Sequence, residues 1–69
     1  MNTNVETIVR DNLELFGRKV VLRHTNDDQL KPYIGQVGEV RGVEMDALIV
    51  RFGNTEHTLW DGFDQYAFL

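Results

Sequence analysis

The residue types that most often carry out chemistry are few in this chain, and their spacing does not build a catalytic or metal site. The 69-residue sequence contains two histidines, His24 and His57, and no cysteine. A zinc site needs three or four ligands at set spacings, and no H-x-x-x-H pair is present. We therefore expect both histidines to be partly exposed strand residues, and we expect neither a metal nor a cofactor.

The aspartates form two further groups of candidate residues. Asp27 and Asp28 lack the alternating oxygen ligands, the glycine turn and the distal glutamate of a calcium loop, which favours a solvated loop. Asp61 and Asp64 have the residue type of an acid/base pair. However, the sequence shows no apolar pocket that would separate their pKa values, so a structural or solvating role is favoured.

Nucleophilic catalysis and phosphate binding are also disfavoured by the sequence. Thr25, Thr55 and Thr58 lack a recognisable base and a group to orient it. Gly35 and Gly38 lie within a strand pattern and precede no helix, so they do not form a phosphate-binding loop. A domain of this length has a thin core and little volume for a deep substrate pocket. We therefore predict that the protein is not an enzyme.

The aromatic residues are better candidates for a binding surface. If Leu59 points into the core, alternation along a strand directs Trp60 outward, and Tyr33 lies in a long loop where its side chain can stay exposed. Trp and Tyr are frequent hot-spot residues at protein interfaces. The alternative is that Trp60 packs under the helix or closes one end of the barrel, and such packing is favoured for Phe63 and Phe68. The predicted partner-binding residues are Trp60, Tyr33, Tyr66, Asp61 and Asp64.

Net charge separates the possible classes of partner. The formal net charge is -4, and such a field repels phosphate backbones and anionic lipid. The last basic residue is Arg51, so the chain beyond it is acidic and would attract a basic partner. The alternative is a nucleic-acid surface built from a local basic face. That face would comprise Arg18, Lys19, Arg23, Arg41 and Arg51. A third hypothesis, an acidic mimic of nucleic acid, needs carboxylates aligned on one face.

The element that precedes the strands is a short amphipathic helix, predicted over residues 3–16, or about 4–16 without its cap. Thr3 and Glu6 have the spacing of a capping box, and apolar residues then recur at helical spacing. Gly17 occupies the position of a left-handed residue that ends a helix. Such a short helix is marginal alone and needs a surface against which to bury its apolar side.

From Gly17 onward the apolar residues recur with a period of two, which indicates β-strands. Five strands are predicted, at residues 19–24, 35–41, 47–52, 56–60 and 66–69. Val37, Val40 and Val43 do not share one parity, which predicts a bulge near Gly38 or Gly42. Pro32 is expected to keep helix out of the loop before the second strand.

These strands resemble the SH3-like small β-barrel group. The matching segments are Val20-Val21-Leu22, Gly35-Gln36-Val37-Gly38-Glu39-Val40 and Leu48-Ile49-Val50-Arg51-Phe52. The pattern is similar to KOW-type segments and to the ferredoxin-docking subunit of photosystem I, and Leu30-Lys31-Pro32-Tyr33 resembles the barrel of nitrile hydratase β subunits. The resemblance covers residues 17–69 and implies a five-stranded barrel. The sequence lacks the A-L-Y-D-Y run of those SH3 domains that bind proline-rich peptides.

We therefore expect one domain over residues 1–69, mainly β, with a helix at 3–16 followed by an SH3-like barrel at 18–69. The absence of cysteine, of a signal-like N-terminus and of a long apolar run predicts a cytoplasmic protein without membrane attachment. Val21 and Ile49 point away from the predicted core, so the helix or a second copy should cover them. The leading hypothesis is a small protein-interaction module, an accessory or inhibitor protein such as phages and mobile elements encode.

Overall fold

The chain folds as an antiparallel β protein, as the period of two predicts. The computed structural model describes residues 14–69. Its elements are β1 (Lys19–Thr25), a 3₁₀ turn (Lys31–Tyr33), β2 (Val37–Glu44), β3 (Ala47–Phe52), β4 (Thr55–Trp60) and β5 (Asp64–Phe68). β4 begins one residue earlier than predicted and β5 two residues earlier. The earlier start of β5 places Asp64 within the sheet.

The five strands form one sheet in the order β4-β3-β2-β1-β5. Each neighbouring pair is antiparallel, so β5 returns across the molecule to pair with β1. Asp61, which follows β4, forms one isolated bridge with Asp64 of β5, and no ladder joins these two outer strands of the described sheet. Strand pairing within residues 14–69 therefore defines an open sheet, and the closed barrel of the prediction is not formed by these hydrogen bonds.

One face of the sheet carries the core, on the parity that the sequence predicts. The core cluster comprises Val20, Leu22, Leu30, Val40, Leu48, Val50, Phe52 and Leu59. Because successive side chains of a strand point to opposite faces, these core residues share one face of the sheet, whereas Val21 and Ile49 lie on the other. Burying such a side chain stabilises the fold by about 1.5–3 kcal/mol.

A bulge in β2 lets valines of opposite parity face the same core, which confirms the prediction. Val40 pairs with Val50 and Gly42 pairs with Ile49, so the register shifts between Val40 and Gly42. Arg41 is therefore the extra residue, and Val43 returns to the core side, where it packs against the cluster. The bulge explains why the spacing in β2 is not a strict period of two.

The backbone of Gly38 lies against core side chains. A Cβ at this position would stand 2.4 Å from Val50 Cγ1 and 2.8 Å from Phe52 Cε1. Real Cβ atoms do not approach carbon this closely, so only glycine fits unless β3 shifts. The glycine in the first half of β2 is thus required by the close approach of β2 to the core side chains of β3.

The loop before β2 contains a 3₁₀ turn, so the prediction that Pro32 excludes helix there was wrong. Lys31–Tyr33 form this turn with the proline at its first positions. Proline is tolerated at the start of a helical turn because the first N–H groups have no partner within the turn. The turn carries Leu30 into the core and brings Tyr33 against the end of β3.

Most of the helix predicted over residues 3–16 lies outside the described residues and remains a prediction. Gly17 has φ +86°, as expected for a left-handed residue at a helix end. Its N–H donates to the carbonyl of Val40 at 2.8 Å. Within residues 14–69, no helix is long and apolar enough to cross a membrane.

Candidate binding surface

Trp60 and Asp61 lie at the exposed end of β4. Trp60 is 52% exposed whereas its neighbour Leu59 is fully buried, which confirms the predicted alternation. Trp60 is the cross-strand neighbour of Ala47. The N–H of Asp61 donates to the carbonyl of Asp46 at 2.8 Å. The tryptophan is therefore held on a rigid edge beside the β2–β3 hairpin.

A shallow groove of about 230 Å³ lies next to this edge. Its lining residues are Leu15, Val43, Glu44, Met45, Asp46, Ala47, Leu48, Asp61, Tyr66 and Phe68. We call this feature the acidic groove. The ring of Tyr66 meets that of Phe68 edge to face, with centroids 6.1 Å apart. The groove therefore has an apolar and aromatic floor that continues to Trp60 through Ala47 and Asp61.

The rim of the acidic groove carries three exposed carboxylates, those of Glu44, Asp46 and Asp61. Among its described lining residues there is no lysine, arginine or histidine. Partial burial raises the pKa of the Tyr66 phenol, and the negative charges of Asp61 and Asp64 raise it further. The phenol thus experiences a negative potential at the floor of the groove.

Asp64 has a structural position rather than a surface position. It is only 4% exposed. Its Oδ1 accepts a hydrogen bond from Thr25 Oγ1 at 2.5 Å, and its Oδ2 accepts one from the Trp60 N–H at 2.8 Å. Both carboxylate oxygens are used within the fold, so we leave Asp64 out of the candidate surface.

Tyr33 lies at the opposite end of β4 from Trp60. Its ring stacks on Phe52 with centroids 5.1 Å apart, and its hydroxyl lies 3.2 Å from Thr55 Oγ1. Thr55 begins β4 and Trp60 ends it, so about 17 Å of strand separates them at roughly 3.3 Å per residue. The structure therefore places Asp61 and Tyr66 in the acidic groove, with Trp60 next to Asp61 in the chain, but does not bring Tyr33 to them.

His57 provides a base beside Thr55, which the sequence-based expectation had missed. Thr55 Oγ1 lies 3.0 Å from His57 Nε2 and also hydrogen-bonds the carbonyl of Phe52 at 3.2 Å. The signal was their i, i+2 spacing, which places both side chains on one face of a strand. The His57 ring also packs against Tyr33, with centroids 4.9 Å apart. These contacts hold the loop against β4.

The five basic residues of the alternative surface are largely engaged with other groups. Lys19 Nζ and Arg41 Nη1 each contact the Glu39 carboxylate at 3.2 Å. The hydrogen bond and charge of Lys19, followed by the hydrogen bond of Arg41, lower the pKa of Glu39. Arg18 lies over the Phe68 ring at 5.0 Å. Arg23 is exposed.

The charges on the outer face of the sheet alternate in sign. Lys19 pairs in register with Glu39, Glu39 with Arg51, and Arg51 with Glu56, across β1, β2, β3 and β4. Opposite charges facing each other across strands support the pairing. Because anions separate the cations of this row, it does not present a continuous basic stripe to a phosphate backbone.

Two expectations about apolar residues have different outcomes. Phe63 and Phe68 are 49% and 39% exposed, so neither belongs to the core; their predicted packing under the helix involves residues outside the described range. Phe63 lies in the turn between β4 and β5, and Phe68 is the last residue of β5. Val21 and Ile49 lie on the outer parity, as expected, and are half-buried.

No group of three or more metal-ligating side chains occurs among the residues from 14 onward. Comparisons of the chain with protein-family models, with curated proteins and with solved structures found no match. The site must therefore be interpreted from its own geometry.

Proposed function

We propose that this protein is a small, non-catalytic module that binds a protein partner, acting as an accessory or inhibitor protein. The observation that carries the proposal is the continuity of Trp60, Asp61 and the acidic groove on one end of the sheet. An exposed tryptophan beside a partly apolar groove has the composition of an interface hot spot. An interface of this kind needs a rigid scaffold, which the sheet supplies.

The surface is better suited to a protein than to nucleic acid. The groove presents carboxylates, which repel phosphates, and the basic residues on the other side are interleaved with Glu39 and Glu56. Steering by the acidic end would favour a positively charged partner. We further propose that the sheet is an SH3-like barrel in kind, with the N-terminal segment as a helix, and that the protein is cytoplasmic.

Affinity capture from the source organism tests the proposal. The bait protein is compared with Trp60→Ala and with Val37→Ala, since Val37 is equally exposed at 52% but lies at the start of β2. We expect a protein partner to be retained by the wild type and by Val37→Ala and to be lost with Trp60→Ala. If all three baits retained the partner equally, Trp60 would not be part of the interface. Loss of the captured material on nuclease treatment would favour the nucleic-acid alternative.

A further inference from the structure

We infer that the acidic groove receives a basic amphipathic segment of a protein partner, with an apolar side chain on its floor and Lys or Arg side chains at its rim. This inference rests on the proposed function and specifies the chemistry of the partner. The charges and the size of the groove both favour this occupant.

The charge of the rim selects a cationic partner. Glu44, Asp46 and Asp61 are exposed around the groove, and the ion pairs recorded for residues 14–69 involve none of the three. Three neighbouring carboxylates that make no recorded ion pair repel one another and attract cations, and the one described cation against a lining residue is Arg18, which lies over the ring of Phe68. A lysine or arginine reaching this rim would form charge-assisted hydrogen bonds.

The floor of the groove selects an apolar side chain. Its apolar lining includes Leu15, Leu48, Tyr66 and Phe68, together with Met45 of the hairpin turn, which is strongly exposed. Methionine and aromatic side chains suit an adaptable apolar contact. The volume of about 230 Å³ is below the roughly 300–1,000 Å³ of small-molecule sites. It therefore fits side chains of a protein segment better than a free cofactor.

A second copy of this chain is a poorer occupant. A two-fold contact through this end brings the same surface of both copies together, so the acidic rim of one copy would face the acidic rim of the other. Of the described cations, Lys19 and Arg51 lie on the outer face, where they pair in register with Glu39 and Glu56. Self-association through the groove would thus bring like charges together.

The test is selection from a random 12-residue peptide library displayed on phage, using the full-length protein as target. Selected peptides are synthesised and their affinities measured by fluorescence anisotropy in low and moderate salt. The groove variant is Asp46→Asn with Asp61→Asn. The control is Asp28→Asn with Glu56→Gln, which removes the same charge away from the groove. Circular dichroism checks that both variants fold.

We expect selected peptides that combine Lys or Arg with Leu, Ile or Phe, and that weaken about tenfold or more on the groove variant, near 1.4 kcal/mol, but not on the control. Neutral or acidic peptides, equal affinity for both variants, or no enrichment would overturn the inference. A dimer of the protein alone that dissociates on Tyr66→Ala would also overturn it, since the occupant would be a second copy. If Trp60-dependent capture persists while this test fails, the proposed function stands and only the partner chemistry is wrong.

Discussion

Thr25 Oγ1 donates a hydrogen bond of 2.5 Å to Asp64 Oδ1. The two residues are 39 positions apart in the chain, and their hydrogen bond joins β1 to β5. The same carboxylate accepts the backbone N–H of Trp60, so it connects the end of β1, the end of β4 and the start of β5. The edge that carries Trp60 is therefore positioned by a buried acidic side chain.

Removing this carboxylate should destabilise the fold. Asp64→Ala leaves the Thr25 hydroxyl and the Trp60 N–H without their acceptor, and a buried donor left unpaired costs about 1–3 kcal/mol. The free energy of unfolding, measured by urea denaturation, should fall by that amount. Asp61→Asn, an exposed neighbour, should change it by no more than about 0.5 kcal/mol. Equal effects of the two substitutions would contradict the structural role of Asp64.

Gly38→Ala should destabilise the protein by about 1–3 kcal/mol, the usual cost of an added methyl group in a packed core. The reason is the overlap of the new Cβ with Val50 and Phe52. Thermal and urea unfolding measure the loss. Val37→Ala, on the outward side of the same strand, is the control and should be nearly neutral. A stable Gly38→Ala variant would show that β2 lies farther from the core than described.

The Glu39 carboxyl should titrate below its ordinary pKa of about 4.3. Its folded-state pKa is lowered by Lys19 and then by Arg41. The stabilisation is therefore present above the unfolded pKa and is lost as the pH falls through the lower, folded value. Carboxyl NMR titration follows the group directly. Lys19→Met should raise its pKa, whereas Lys31→Met, at a distant ion pair, should leave it unchanged; a titration insensitive to Lys19→Met would contradict this contact.

The Tyr66 phenol should ionise above its ordinary pKa of about 10, mainly because of burial and then because of Asp61 and Asp64. Its neutral form therefore stabilises the fold below the unfolded pKa, and this contribution is lost as the pH rises through the folded value. Ultraviolet titration of wild type and Tyr66→Phe isolates the group. Asp61→Asn should lower the pKa of Tyr66. If the titration curve of Tyr66 were the same in Asp61→Asn and wild type, the charge of Asp61 would not act on the Tyr66 phenol.

The repeating pattern of side chains predicted the strands and the bulge because both are local. Alternation assigned Val20, Leu22, Val50 and Phe52 to one face, and the conflicting parity of three valines predicted a bulge near Gly38 or Gly42, of which the structure shows the second. The outward direction of Trp60 followed from the same rule. These features depend on residues that are close in the sequence, so a single amino-acid sequence is sufficient to predict them.

The features that were missed depend on distant partners. Asp64 and Asp61 look alike in the sequence, and only the register of β5 against β1 places Asp64 opposite Thr25. Tyr33 was expected in an open loop, but the 3₁₀ turn brings it onto Phe52. The acidic groove likewise forms between the β2–β3 hairpin and β5. The spacing of residues along the chain does not reveal that these two elements lie side by side.

The most direct test of the account is the NMR signal of the Trp60 indole N–H, which belongs to the single tryptophan of the chain. Isotope-labelled protein is titrated with the partner obtained by capture. We predict that the indole signal and the amides of Asp46 and Asp61 shift on binding, while the amide of Val37 does not. Shifts confined to Lys19, Val37 and Arg51, with an unmoved indole signal, would place the partner on the opposite surface and contradict the central claim.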